Sequence, residues 1–147
     1  FIIIILVTVF FTSILSASNL SLQNGDTVGS YDFDLNADFV WPVPGYTYIS
    51  SPFGPRVSPT IGASSFHSGI DIPAPECTNI YAICDLQVYF SGWGAGGGYT
   101  ISAKINDFLK VSYCHVHPDY MPSIGSSFKK GSLITKIGPK NVYGIHN

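Results

Sequence analysis

After residue 18 no stretch of this chain carries a helical period. Short runs rich in branched and aromatic residues, at 80–83, 86–90, 99–105, 108–115 and 133–137, are separated by turn residues instead. That is the pattern of strands. Asn106-Asp107 lies between two of these runs as a hairpin turn, and Lys129-Lys130-Gly131 turns the chain before the last one. Residues 46–49 read as a first strand, followed by the compact turn Ser51-Pro52-Phe53-Gly54-Pro55-Arg56. The glycine-rich stretch 92–98, around Trp93, reads as a flexible loop. With 15 Gly, 10 Pro and 14% aromatic residues, the chain is composed like a turn-rich β domain. The fold class is all-β, a compact antiparallel sheet domain.

At 147 residues the chain is about one domain long. Residues 1–15 are almost wholly apolar, and Ser16-Ala17-Ser18 places small residues before Asn19, as at a signal-peptidase site. A spanning helix needs about 20 apolar residues, so residues 1–18 are expected to be a helical signal peptide or membrane anchor that is incomplete at its N-terminus. Residues 19–38 interleave Asp26, Asp32, Asp34 and Asp38 with Asn, Ser and Gly, and no basic residue occurs before Arg56. This segment reads as an acidic, polar linker, and the β domain as 39–147. The expected location is therefore extracytoplasmic: secreted, cell-wall associated or membrane-anchored. Seven Lys+Arg against nine Asp+Glu make a formal net charge of −2, without the clustered basic residues that nucleic acid binding requires. Three cysteines are too few for a disulfide scaffold, and at most one disulfide is expected.

Chemistry concentrates in Phe66-His67-Ser68-Gly69-Ile70-Asp71-Ile72-Pro73-Ala74-Pro75. An imidazole and a carboxylate are a ligand pair that suits zinc. In a straight strand residues four apart would lie about 13 Å from each other, whereas two ligands of one ion need donor atoms about 3 Å apart. Gly-Ile-Asp-Ile-Pro is a poor helix former, so the chain should bend at Ser68-Gly69 and start a short strand near Asp71. Spacing alone leaves two readings, a metal-binding pair or a surface histidine and a turn-capping aspartate that never meet. Further on, Val111, Tyr113 and His115 share one face of a strand, while Lys110, Ser112 and Cys114 share the other. His115 at that strand's end reads either as a general base beside a cleft or as a histidine packed by its ring. His117, between Val116 and Pro118, is expected in a loop and not as a ligand.

Taken in order, Ser51-Pro52-Phe53-Gly54-Pro55-Arg56, His67-Ser68-Gly69-Ile70-Asp71-Ile72, Ala74-Pro75 and Tyr113-Cys114-His115-Val116 resemble the lysostaphin-type (LytM-like) zinc metallopeptidases. Ile124-Gly125 and Lys130-Gly131-Ser132-Leu133-Ile134 resemble that family's following turn and strand. The resemblance covers residues 41–147 and implies an antiparallel β fold, built on a duplicated hybrid motif, with a narrow groove. It implies a zinc endopeptidase that cuts the peptide stems or cross-bridges of bacterial peptidoglycan. His67 and Asp71 match the family's first two zinc ligands, and His115 matches a catalytic histidine. Arg56 matches a family position to which no chemical role is given. The family's third ligand and second catalytic histidine come from a later His-x-His, which is expected beyond residue 147. His146 is not taken as a ligand, and a fragment without that motif is expected to be inactive. The alternative is a non-catalytic peptidoglycan-binding or scaffold module of the same fold, which an absent His-x-His would favour.

Overall fold

The computed structural model of the chain describes residues 39–58, 64–107 and 109–139, together with the backbone of 2–9. Ten strands occur in this order: β1 (Ile2–Val9), β2 (Gly54–Pro55), β3 (Phe66–His67), β4 (Ile70–Pro73), β5 (Asn79–Tyr81), β6 (Leu86–Gly94), β7 (Gly98–Lys104), β8 (Leu109–Tyr113), β9 (Ser127–Phe128) and β10 (Leu133–Lys136). A single 3-10 turn, Pro118–Tyr120, is the helical element among the described residues. Six strands form one sheet in the order β4-β1-β8-β7-β6-β9, while β10 pairs with β5 and β2 with β3. Every pairing is antiparallel. The all-β, antiparallel expectation is borne out.

The central meander shows why these runs are strands. In β6 Leu86 and Val88 are buried while Gln87 and Tyr89 between them are exposed, the period of two that seats one face on a core. Residues 100–103 of β7 are all buried, as in a strand covered on both faces. Ser102 would be costly there, but its Oγ lies 2.7 Å from that of Ser112, directly opposite on β8. Ile72, Ile80, Ile101, Val111, Tyr113, Val116 and Ile137 fill the core at 0–1% exposure. The Tyr113 hydroxyl accepts the Ile83 backbone N–H at 3.1 Å, so the buried phenol is satisfied. Burial pushes its pKa far up.

Three expectations need correction. Ile2–Val9 is a strand where a helix was expected, with β4 on one side and β8 on the other. Its run of branched residues is stiff at χ1 and favours extended backbone. Residues 10–18 and 19–38, the rest of the expected signal segment and linker, lie outside the described residues. Residues 46–49 are not a strand. Tyr48 is 71% exposed, and what holds this stretch is a turn in which Trp41 Nε1 donates to Tyr46 O at 2.9 Å. The stretch 92–98 is no loose loop either. β6 runs through Gly94 and β7 begins at Gly98, with Trp93 opposite Tyr99 and their rings packed edge to face at 5.1 Å. That aromatic pair supplies the cross-strand packing the glycines lack. Cys77, Cys84 and Cys114 are all free thiols. Among the described residues no helix is long and apolar enough to cross a membrane.

Candidate metal centre

The chain does bend at Ser68-Gly69, with β3 ending at His67 and β4 beginning at Ile70. The bend brings His67 Nε2 to 3.1 Å from Asp71 Oδ1. Both residues are buried, at 3% and 4% exposure. The two side chains meet, so the reading of a surface histidine and a turn-capping aspartate that stay apart is excluded.

The turn 51–56 wraps the imidazole. Gly54 pairs with His67 across β2 and β3, in a left-handed conformation (φ +122°) that only glycine takes without strain. Ser51 bridges to Asp71 through its carbonyl, which accepts the Asp71 N–H at 2.9 Å. The turn is thus clamped to the strand carrying Asp71. His67 Nδ1 lies 3.0 Å from Pro52 O and 3.2 Å from Ser51 Oγ. A carbonyl can only accept, so Nδ1 carries the proton. With its one proton on Nδ1 the neutral ring turns its Nε2 lone pair toward Asp71 Oδ1, and a second proton on Nε2 would make the contact an ion pair.

Neither Nε2 nor Oδ1 has a hydrogen-bond partner, although both are buried. An orphaned buried polar atom costs about 1–3 kcal/mol, and when the ring is neutral two acceptors face each other here. Tetrahedral zinc with bonds of about 2.0–2.1 Å to nitrogen and oxygen separates such donors by about 3.3 Å. The pair therefore fits two neighbouring ligands of one ion. The Nδ1–H···O=C bond beneath it is the support a metal-bound imidazole requires.

Arg56 acquires a structural role that its sequence position did not reveal. Its Nη1 donates to Ser51 Oγ at 2.8 Å and lies 3.6 Å from Asp71 Oδ2. Burial raises the Asp71 pKa above the usual carboxylate range, against the opposing pull of His67 and Arg56. The arginine thus favours the ionised carboxylate that a cation needs.

His115 stands just past the end of β8, two strands along the sheet from Asp71. Ile4 of β1 faces Asp71, and Ile5 faces Tyr113. Continuing that register by one residue sets Cys114 level with Asp71, about 10 Å away at two strand spacings. The Cys114 thiol is pushed up by burial, and Asp71 adds to the shift against a hydrogen bond from Thr100. His115 itself has φ +57°, a left-handed conformation that costs a non-glycine residue about 1–2 kcal/mol. It is held there from both sides, its N–H donating to Gly97 O and its carbonyl accepting Gly138 N–H, each at 2.9 Å. A Cβ on Gly97 would come within 2.7 Å of Thr100 Oγ1 and 2.9 Å of Cys114 Sγ, so the β6–β7 turn must be glycine at that point. His117 lies in a loop, where its Nδ1 accepts Asp119 N–H at 3.2 Å. His146 lies outside the described residues.

Comparison with known proteins follows the same residues. The sequence pattern of peptidase family M23 matches residues 65–146. DD-carboxypeptidase/endopeptidase Mpg of Neisseria meningitidis serogroup B is 35% identical over 71 residues, which is 48% of this chain and 16% of that protein. The protein of the same name from Neisseria gonorrhoeae matches to the same extent. The chain thus spans 16% of the length of these curated relatives. Helicobacter pylori Csd3, in its orthorhombic crystal, superimposes with a TM-score of 0.56 at 33% identity, over 68% of this chain and 28% of that one. A zinc-containing peptidase from Vibrio cholerae superimposes with a TM-score of 0.59 over 70% of this chain and 33% of its own, and at 24% identity this is a likeness of fold alone.

Proposed function

The chain belongs to peptidase family M23, and on that footing we propose that it is a zinc metalloendopeptidase hydrolysing peptide bonds in bacterial peptidoglycan. The observation that carries the reading is the buried His67 Nε2 facing Asp71 Oδ1 at 3.1 Å, with the proton held on the far side of the ring. The name of the Neisseria relative, a DD-carboxypeptidase/endopeptidase, supports it.

Bound at His67 and Asp71, with a third protein ligand expected beyond residue 147, zinc would supply a polarised water and a Lewis acid. The residues of this chain prepare the rest. Pro52 O keeps the Nδ1 proton in place, so Nε2 stays a donor of its lone pair. Arg56, 3.6 Å from Asp71 Oδ2, favours the ionised carboxylate, and Ser51 O holds the Asp71 backbone. His115, held by Gly97 and Gly138, is the group that accepts a proton or steadies charge on the scissile oxygen, since an imidazole exchanges protons near neutral pH.

The test is release of new amino groups from purified cell walls by the chain continued through a His-x-His. Hydrolysis that requires zinc and disappears in His67→Ala is the expected result. Wall binding without hydrolysis would establish the scaffold module instead.

The proposed location is extracytoplasmic, with residues 1–18 as signal or anchor. Cleavage before Asn19 would remove β1 and leave the facing edges of β4 and β8 unpaired, which a sheet must cover. N-terminal sequencing of exported protein decides. A start at Asn19 supports a signal peptide, and retention of residues 1–18 in membranes supports an anchor.

A further inference from the structure

Glu76, Cys77 and His117 bring one carboxylate oxygen, one sulfur and one imidazole nitrogen within 4.8 Å of one another. None of the three belongs to the His67–Asp71 pair, and the inference drawn from them does not rest on the proposed hydrolysis. Glu76 and Cys77 are the corner residues of a turn closed by Thr78 N–H donating to Pro75 O at 3.2 Å. Cys77 has φ +63°, a corner conformation where glycine would be free of strain. His117 arrives from 40 positions further along the chain. Cys77 and His117 are registered on two adjacent residues, Lys136 at the end of β10 and Ile137 just after it. Cys77 N–H donates to Ile137 O at 2.9 Å, and His117 N–H donates to Lys136 O at 2.8 Å. Val116 bridges Ile137 on the other side. The backbones that carry Cys77 and His117 are therefore fixed by hydrogen bonds.

We propose that Glu76, Cys77 and His117 form a second metal site, an accessible one for a borderline divalent cation such as zinc. The donor set decides the class. A thiolate with an imidazole and a single carboxylate suits zinc or cobalt, whereas magnesium and calcium require oxygen ligands. Bond lengths of about 2.0–2.3 Å place tetrahedral donors about 3.2–3.8 Å apart, so the cluster closes onto an ion by moving about 1 Å. Glu76 and Cys77 are exposed and His117 is half-buried, which leaves a coordination position to water and makes the ion exchangeable. The ring of His117 is already oriented, edge to face on Tyr120 at 4.9 Å. Ligation through Nδ1 displaces the Asp119 N–H. Ligation through Nε2 moves the ring proton to Nδ1, where Asp119 Oδ2 stands 3.9 Å away. Binding also takes the proton from the Cys77 thiol, so each ion bound releases a proton to the buffer.

Cobalt(II) is the probe, because a thiolate ligand gives a near-ultraviolet sulfur-to-cobalt band that His67 and Asp71 cannot produce. The whole chain, kept reduced with a phosphine, is titrated with cobalt and then with zinc. The band should form in the wild type and in the His67→Ala, Asp71→Ala double variant, and zinc should abolish it. Cys77→Ser should remove it, while Cys114→Ser leaves it in place. His117→Ala and Glu76→Gln, substitutions outside the core, should each weaken cobalt binding by about tenfold or more, or 1.4 kcal/mol per tenfold step. The proposal is overturned if no band forms, if the band survives Cys77→Ser, or if both the His117 and Glu76 variants bind cobalt as tightly as the wild type.

Discussion

The two clusters differ in what they cost when empty. His67 and Asp71 are almost fully buried, 3.1 Å apart, with Nε2 and Oδ1 unpartnered. Glu76, Cys77 and His117 spread over 4.8 Å at the surface, where water satisfies any group left without a ligand. Burial turns a missing cation into a penalty of about 1–3 kcal/mol per orphaned atom, so the first pair is preorganised against its own stability. The second site carries no such penalty and therefore gains no such selectivity. A buried pair of ligating atoms left unpartnered points to a ligand, whereas an exposed cluster has to be proven by titration.

The largest effects should fall inside the buried site and divide its members. His67→Ala should lose both zinc at this site and hydrolysis down to background, since the remaining ligands cannot close it. His115→Ala should keep zinc and lower turnover by about 10²–10⁴-fold, the usual contribution of one acid–base group. Metal analysis alongside hydrolysis separates the two, and loss of zinc from the His115 variant would make it a ligand. Arg56→Ala comes next. Without the guanidinium over Ser51 and Asp71, zinc affinity should fall by about 10–100-fold, as for other groups that hold a ligand in place. Unchanged affinity would reduce Arg56 to a surface contact.

Asp71→Asn tests the penalty itself. An amide N–H can donate to His67 Nε2, so this variant should lose zinc yet stabilise the metal-free protein by about 1–3 kcal/mol. Denaturant unfolding in chelator measures it, and a destabilised variant would mean the facing acceptors carry no penalty.

The smallest effect belongs to an exposed pair. Lys129 Nζ lies 2.6 Å from Asp85 Oδ2, and Lys130 N–H donates to Asp85 Oδ1 at 2.9 Å. The hydrogen bond from Lys129 lowers the Asp85 pKa, and the Lys130 backbone adds to it. A depressed carboxylate contributes stability above its unfolded pKa and loses it as pH falls through its folded value. The Tm difference between wild type and Asp85→Asn should accordingly be small at neutral pH and vanish in acid. A large, pH-independent difference would contradict it.

The sequence made the meander legible because Leu86, Val88, Ile101, Ala103 and Val111 alternate or run together as buried strand residues do. His67, Asp71 and their bend were legible through the order of short motifs. Tyr46, Tyr48 and Ile49 misled, because a branched and aromatic run reads as a strand even where no partner covers it. The insertion of β1 between β4 and β8 was hidden, since composition marks residues 2–9 as apolar without saying which strands they join. Pro52 was hidden for another reason. Its contribution is a backbone carbonyl, which no side-chain pattern reports. Cys77 and His117 are 40 positions apart and meet only through β10. Gly97 looked like one of several flexible glycines, yet Thr100 and Cys114 crowd the place where its Cβ would be.

The central claim is that the His67 ring carries its proton on Nδ1 and offers Nε2 to a cation. Nitrogen-15 NMR of the imidazole ring measures this directly. In metal-free protein at a pH where the ring is neutral, the account predicts a protonated, pyrrole-type Nδ1 and a bare, pyridine-type Nε2. Adding zinc should move the Nε2 resonance and leave Nδ1 protonated. A proton found on Nε2, with neither resonance responding to zinc, would contradict it.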